Sequence, residues 1–227
     1  MPLIWTALTV GGVVLIGVLL GVMLRSRAWQ RYPFLLLYLF AALVSQSLNL
    51  ILYTRLGNVH SPVYVNTFYT GDMVLHALIL TMVLLLIREA LVGNRAPDLS
   101  TFAIVACCVA FLGTTLYLLY NGGGNFYTLS RNLSFIEEVL NFVLWAILIR
   151  NRSRDIVLLM VSAGLGIQVT GEVIGRTIGM YLAHSVPWLP NALVMICQLF
   201  ALYVWYRAFA AYRRQHAVER PQASLAS

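Results

Sequence analysis

Residues 3–27 read LIWTALTVGGVVLIGVLLGVMLRSR, an uncharged apolar run that ends in arginines. An apolar run of about 20 residues is long enough to cross a bilayer as an α-helix, and a helix satisfies its backbone hydrogen bonds internally, as lipid requires. Similar runs recur along the chain and predict seven spans, at about 3–24, 33–53, 68–87, 101–120, 133–149, 156–182 and 187–206. We therefore expect an all-α, polytopic seven-transmembrane-helix bundle over residues 1–212, followed by a short polar cytoplasmic tail at 213–227.

The arginines are distributed unevenly between the two sides that these spans define. The 15 basic residues are all arginine, and twelve of them follow the first, third, fifth or seventh span. These twelve are Arg25, Arg27, Arg31, Arg88, Arg95, Arg150, Arg152, Arg154, Arg207, Arg213, Arg214 and Arg220. Short loops rich in arginine stay in the cytoplasm. The pattern predicts a multi-pass protein of the cell inner membrane with its N-terminus outside and its C-terminus inside.

The composition excludes an ordinary soluble domain. The chain is 60% hydrophobic and 10% charged, with a mean hydropathy of +0.82, whereas soluble domains are about 25% charged. The net charge of +7 comes from arginines at helix ends, where anionic lipid is their natural neighbour. We expect the lipid bilayer as a partner, no nucleic acid, and a membrane or cytoplasmic protein as a further partner of the arginine-rich inner surface.

Ionisable side chains inside the predicted spans are the candidates for function. Each costs roughly 2.5–3.5 kcal/mol at the centre of a spanning helix, so it is expected to face protein or water. The predicted topology places Asp72, His76, Glu137, Glu138, Glu172 and Arg176 in the outer half of the membrane. Helical spacing adds Asn141 and Trp145 to the stripe through Ser134 and Glu138, and Gln168 to the stripe of Glu172 and Arg176.

These stripes predict a ligand-binding cavity that opens to the outside. Its expected lining is Asp72, His76, Glu138, Asn141, Gln168, Glu172 and Arg176. Glu138 is the residue expected to carry function, while Glu137 is expected near the membrane interface. The alternative is purely structural, because Glu172 could pair with Arg176, and Asp72 with His76, without any ligand.

Glycines at four-residue spacing predict close helix packing. They are Gly17 and Gly21 on the first span and Gly171, Gly175 and Gly179 on the sixth. Small residues at this spacing let helix backbones approach closely in a membrane. We expect packing within the molecule, with dimerisation as the alternative.

No cofactor and no catalytic residue is expected. Retinal needs a lysine, which the chain lacks, and haem between helices needs two axial ligands, whereas His76 is the only histidine within a span. An alternative is a zinc site formed by Asp72, His76 and Glu138, but we assign no metal from the sequence. The stretch FIEEVLNF at 135–142 resembles short motifs of membrane lycopene cyclases and of membrane-embedded prenyl-protein proteases. Phe135 and Phe142 replace the proline and the arginine of those motifs, which excludes both activities.

Over its full length the chain resembles the uncharacterised seven-helix integral membrane proteins of bacteria. The features that carry this resemblance are the Arg31-Tyr32-Pro33-Phe34 segment, acid residues early in the third and fifth spans, and a glycine-rich sixth span with Glu172. The resemblance implies the fold and no established activity. The leading hypothesis is a non-enzymatic small-ligand binding or sensing module for a small polar or cationic ligand. The alternatives are a transporter or proton-coupled carrier and a structural subunit of a membrane complex.

Overall fold

Six long helices make up the part of the protein that the computed structural model describes, residues 2–56, 61–91, 126–150, 155–182 and 188–223 with a few isolated positions between 109 and 120. They are listed here in chain order: α1 Pro2–Ser26, α2 Pro33–Leu56, α3 Pro62–Leu91, α4 Phe126–Arg150, α5 Ile156–Leu182 and α6 Leu189–Ala223. All six are long and apolar enough to cross a membrane, and these ranges contain no strand. The prediction of an all-helical, multi-pass membrane protein is confirmed at this level.

The helix boundaries refine the predicted spans. The predicted span at 101–120 lies almost entirely outside the described residues, as do Cys107 and Cys108, so α4, α5 and α6 correspond to the fifth, sixth and seventh predicted spans. Helices α3 and α4 begin six and seven residues earlier than predicted. Helix α6 continues to Ala223, well into the segment predicted as a polar tail.

Local sequence signals explain where several helices begin. Helices α1, α2 and α3 each begin at a proline, whose fixed φ suits the first helical turn and whose missing N–H would be unpaired there anyway. Helix α5 is capped by Asp155, whose Oδ1 accepts hydrogen bonds from the backbone N–H groups of Val157 at 3.0 Å and Leu158 at 3.1 Å. An acidic cap of this kind satisfies donors that the first turn leaves unpaired.

The six helices form a closed ring in which each packs against the next and α6 returns to α1. Contacts along the ring give the helix directions. Asp72 near the start of α3 meets Ser130 near the start of α4, so α3 and α4 run parallel. Between α5 and α6 an early residue meets a later one, because the indole of Trp205 in α6 donates to the Val161 carbonyl in α5 at 3.0 Å. The neighbours joined by short connections, α1–α2, α2–α3, α4–α5 and α5–α6, are antiparallel, so α6 and α1 run parallel where the ring closes.

The arginine-bearing end of the ring is held by ion pairs around Arg31. Its guanidinium lies 3.0 Å from Glu89 at the end of α3 and 2.5 Å from Asp155 at the start of α5. Partial burial lowers the pKa of Arg31, but the hydrogen bond to Glu89 and the nearby carboxylate of Asp155 more than offset this, so the pKa lies above its usual value. Between this end and the middle of the helices the core is mainly apolar, and its fully buried side chains include Leu144, Leu165 and Trp205.

Three of the glycines predicted to allow close helix packing lie against a neighbouring helix. A Cβ on Gly171 would clash with Cys197 of α6, and one on Gly175 would clash with Val194, so α5 and α6 approach each other closely at these positions. Gly179 makes ordinary contact with Pro190. A Cβ on Gly17 or Gly21 would meet no described atom within 4 Å. No contact among the described residues accounts for these two glycines, so for them intramolecular packing, with dimerisation as the alternative, stays a prediction.

Candidate functional site

A buried ionic cluster lies where α3, α4 and α5 meet. It consists of Asp72 and His76 from α3, Ser130 and Glu137 from α4, and Glu172 and Arg176 from α5. Asp72 and His76 are one helical turn apart, as are Glu172 and Arg176, so each pair projects from one face of its helix. Four of the predicted ligand residues therefore converge as expected: Asp72, His76, Glu172 and Arg176.

His76 is held on both sides of its ring. Its Nδ1 lies 3.0 and 3.1 Å from the two carboxylate oxygens of Glu137, and its Nε2 lies 3.1 Å from the Ser130 hydroxyl. The Ser130 hydroxyl in turn donates to Asp72. Both His76 and Glu137 are fully enclosed by protein. The imidazole orientation is thus fixed by a carboxylate, with Nε2 directed toward Asp72, Glu172 and Arg176.

The Nη2 atom of Arg176 occupies the centre of the cluster. It lies 2.5 Å from Glu172 Oε1, 3.2 Å from both carboxylate oxygens of Asp72, and 3.3 Å from His76 Nε2. The pairs that a purely structural interpretation predicted are therefore both present. They are not separate pairs, however, because one guanidinium nitrogen lies against all three groups.

Acidic groups outnumber basic ones in the ionic cluster. Asp72, Glu137 and Glu172 are three carboxyl groups, and Arg176 and His76 are the two basic groups that contact them. Charge is costly to bury in an apolar bundle unless it is paired and hydrogen-bonded. Even with a charged imidazole, one carboxylate is in excess, so the cluster has the charge to attract a further proton or cation.

Three atoms of the cluster are placed like ligands of one metal ion. Asp72, His76 and Glu172 each offer a donor atom within 4.8 Å of the others. His76 Nε2 lies 3.6 Å from Asp72 Oδ2 and 3.5 Å from Glu172 Oε1. Tetrahedral ligands about 2.1 Å from a metal lie roughly 3.4 Å apart. The contact between His76 Nδ1 and Glu137 also matches the carboxylate that commonly orients a metal-binding histidine.

The cluster is closed at one end and more open at the other. The side chains of Asp72, Glu172 and Arg176 are 14–16% exposed, while that of Glu137 is 0% exposed. A small ion arriving from the side of Asp72 would therefore meet these three groups first. Farther along the helices, toward the arginine-bearing end, the described core is mainly apolar, with Ser162 as a buried polar side chain.

The remaining predicted ligand residues lie elsewhere. Glu138 and Asn141 line a separate groove between α4, α5 and α6, and the Glu138 Oε1 accepts a hydrogen bond from Thr170 at 2.7 Å. Gln168 hydrogen-bonds the hydroxyl of Tyr38 in α2. The expectation of one cavity lined by all seven residues is therefore corrected. Adjacent residues of a helix point in directions about 100° apart, which separates Glu138 from Glu137.

Glu137 and Ser130 are the cluster residues that the sequence interpretation missed. Glu137 was expected near the membrane interface, and it is instead at the enclosed end of the cluster against His76. Ser130, Ser134 and Glu137 follow one another at spacings of four and three residues, which place them on one helix face. That stripe shares Ser134 with the stripe of Glu138 and Asn141, and spacing alone does not say which stripe faces the bundle.

Comparison of the chain with protein-family models, with curated proteins and with solved structures finds no match. The site must therefore be interpreted from its own geometry. Within the described part of the chain, that geometry consists of a largely buried ionic cluster on one side of α4 and a groove with unpaired hydrogen-bond acceptors on the other.

Proposed function

We propose that this protein is a membrane-embedded binding or sensing module for a small cation, and that the ionic cluster is its binding site. Asp72, His76 and Glu172 would bind the cation directly, while Glu137 would orient His76. The single observation that carries this proposal is the convergence of three donor atoms within 4.8 Å of one another, with His76 Nε2 3.6 Å from Asp72 Oδ2 and 3.5 Å from Glu172 Oε1. We propose a non-enzymatic role, in which occupancy of the site changes the packing of α3 and α5.

Arg176 gives such a module two states. In the described arrangement its Nη2 lies at the point where the three donor atoms converge. A cation bound there must displace the guanidinium, because two positive charges cannot share ligands at this distance without strong repulsion. Since Arg176 belongs to α5, its displacement would alter the close contact between α5 and α6 at Gly171 and Gly175. Cation binding would thereby be coupled to helix packing.

The proposed topology is seven spans with the N-terminus outside, in the cell inner membrane. The parallel directions of α3 and α4 support the seventh span. Helix α3 has 30 residues and is about 45 Å long, so its end and the start of α4 lie on opposite sides of the membrane. The connection between these two ends therefore needs one more crossing of the membrane, and the predicted span at 101–120 would supply it. This consideration is independent of the count of arginines.

The orientation is supported by the ends at which arginines lie. Helices α1, α3 and α4 end in Arg25, Arg88 and Arg150 respectively. Parallel helices present these ends to one side, where arginine-rich loops stay in the cytoplasm. The more open end of the ionic cluster would then face the outside of the cell, and the arginine-bearing end would meet a cytoplasmic or membrane partner.

A carrier and a structural subunit are the competing functions. A carrier needs a polar path into the inner half of the membrane, whereas the buried core described there is made of residues such as Leu144, Leu148 and Phe209. A structural subunit needs no cation. Cation uptake into proteoliposomes would assign a carrier, and indifference to every cation would favour a structural role.

The test is cation-dependent thermal unfolding of tag-free protein in lipid nanodiscs, with Zn²⁺, Mn²⁺, Ca²⁺, Mg²⁺ and Na⁺ each compared with a chelator-treated sample. We expect at least one divalent cation to raise the unfolding temperature of the natural protein. The Asp72→Asn, His76→Gln and Glu172→Gln variants should lose this rise. Glu89→Gln, which removes an acid from the arginine-bearing end, is the matched control and should keep it. Equal rises in all four variants would refute the assignment of the site.

A further inference from the structure

A second polar site lies outside the ionic cluster, in the groove between α4, α5 and α6, which we call the lateral groove. Its volume is about 590 Å³, within the range of small-molecule sites. The wall is mainly apolar and aromatic, with Phe142, Trp145, Ile167 and Leu193 among the lining residues. A groove of this composition favours an apolar ligand, and its few polar atoms determine which polar group that ligand should carry.

Two hydrogen-bond acceptors on the wall of the lateral groove have no partner in the described part of the chain. They are Glu138 Oε2 and Asn141 Oδ1. Glu138 is 8% exposed and Asn141 is 3% exposed, so neither oxygen is freely solvated. Buried acceptors are nearly always satisfied in folded proteins. A ligand that donates hydrogen bonds to both would satisfy two groups that the described structure leaves unpaired.

The two acceptors belong to residues one turn apart on the same face of α4. Residues three apart on a helix are surface neighbours, with Cβ atoms about 5–6 Å apart. Among the described residues no basic side chain pairs with Glu138, whose other oxygen accepts a hydrogen bond from the neutral hydroxyl of Thr170. The indole of Trp145 lines the same groove, and aromatic faces attract cations. The donor that complements this set is a positively charged amine.

The depth of the site distinguishes a free ligand from a lipid headgroup. Glu138 lies twelve residues from each end of α4, which spans Phe126–Arg150. At 1.5 Å per residue this is about 18 Å of helix on either side, so Glu138 lies at the midpoint of α4, toward the inner limit of the outer half predicted for it. Lipid headgroups lie beyond the hydrocarbon core, about 15 Å from its centre. The ammonium must therefore belong to a compact molecule that enters the groove entirely.

We propose that the lateral groove binds a small hydrophobic amine in its protonated form. The ammonium donates hydrogen bonds to Glu138 Oε2 and Asn141 Oδ1, and the hydrocarbon part packs against Phe142, Ile167 and Leu193. This site is distinct from the ionic cluster, and the inference does not depend on cation binding there. It assigns Glu138 the role of ligand contact that the sequence predicted, for a ligand of defined chemistry.

The experiment measures binding of 1-adamantanamine to the protein in lipid nanodiscs by titration calorimetry, with empty nanodiscs as the blank. 1-Adamantanecarboxylate has the same hydrocarbon cage and the opposite charge. We expect the amine to bind the natural protein at least tenfold more tightly than the carboxylate does. This comparison needs no variant and therefore does not depend on how a substitution folds.

Two variants and a control locate the site. Glu138→Gln should weaken amine binding at least tenfold, and Asn141→Leu should weaken it severalfold. Glu89→Gln removes an acid at the arginine-bearing end of the ring, outside both the ionic cluster and the lateral groove, so it should bind the amine within twofold of the natural protein. Failure of the natural protein to bind the amine, or equal affinity in the natural protein and Glu138→Gln, would overturn the proposal.

Discussion

Replacing Arg176 with methionine tests how strongly the ionic cluster depends on its central guanidinium. The substitution keeps a flexible apolar side chain of similar length and removes the one group that contacts Asp72, Glu172 and His76 together. Removing one partner of a buried ion pair costs about 3–5 kcal/mol, because it leaves uncompensated charge. The side chains of Asp72 and Glu172 are 14–16% exposed, so water relieves part of that penalty. We expect a loss near the lower limit, about 3 kcal/mol.

Arg31→Met is the matched comparison for this prediction. Arg31 also contacts two acids, Glu89 at 3.0 Å and Asp155 at 2.5 Å, but its side chain is 39% exposed. Exposed pairs typically contribute below about 1 kcal/mol. The free energy of unfolding, measured by reversible denaturation in mixed micelles, should therefore fall much more for Arg176→Met than for Arg31→Met. Equal losses in the two variants would refute the conclusion that burial makes Arg176 the more important contact.

Three further predictions concern the orientation of His76, the packing of α5 and the topology. Glu137→Gln should reduce cation affinity about 10- to 100-fold in calorimetric titration, because it weakens the carboxylate that orients the metal-binding imidazole; unchanged affinity would contradict that role. Gly171→Leu should destabilise the fold by about 1–3 kcal/mol through overpacking, while Gly17→Leu should change the unfolding free energy little, and equal effects would contradict the described packing. In a background without native cysteines, a membrane-impermeant thiol reagent should label Glu89→Cys only from the cytoplasm and Arg131→Cys only from outside. Labelling of both variants from the same side would contradict the parallel directions of α3 and α4.

The sequence predicted the helices because lipid imposes strong and local requirements. A run of apolar residues such as 156–182 has the length that a bilayer demands, and α5 matches that run at both ends. The ends of α3 and α4 were harder to predict, since Pro62 and Phe126 lie in less apolar segments. There each helix extends beyond the apolar run, and hydropathy does not register the extension.

The candidate site was predictable only in part, because spacing fixes which residues share a face but not what that face meets. Asp72 with His76 and Glu172 with Arg176 were recognisable as pairs one turn apart. Their convergence on a single point depends on the rotation of α3 against α5, which the chain does not reveal locally. For the same reason, the sequence interpretation placed Glu138 with the other ionic residues, where the structure has Glu137. A rotation of α4 by about 100°, one residue step, would exchange their surroundings.

The most direct test of cation binding at the cluster is calorimetric titration of a divalent cation, Zn²⁺ first, into the natural protein and into Arg176→Met. Because the guanidinium lies at the point where Asp72, His76 and Glu172 converge, its removal should free that point and abolish charge repulsion. The variant should then bind the cation at least tenfold more tightly, a gain of about 1.4 kcal/mol or more, even though it is the less stable protein. Equal or weaker binding by Arg176→Met would contradict the proposal that a cation and Arg176 compete for one site.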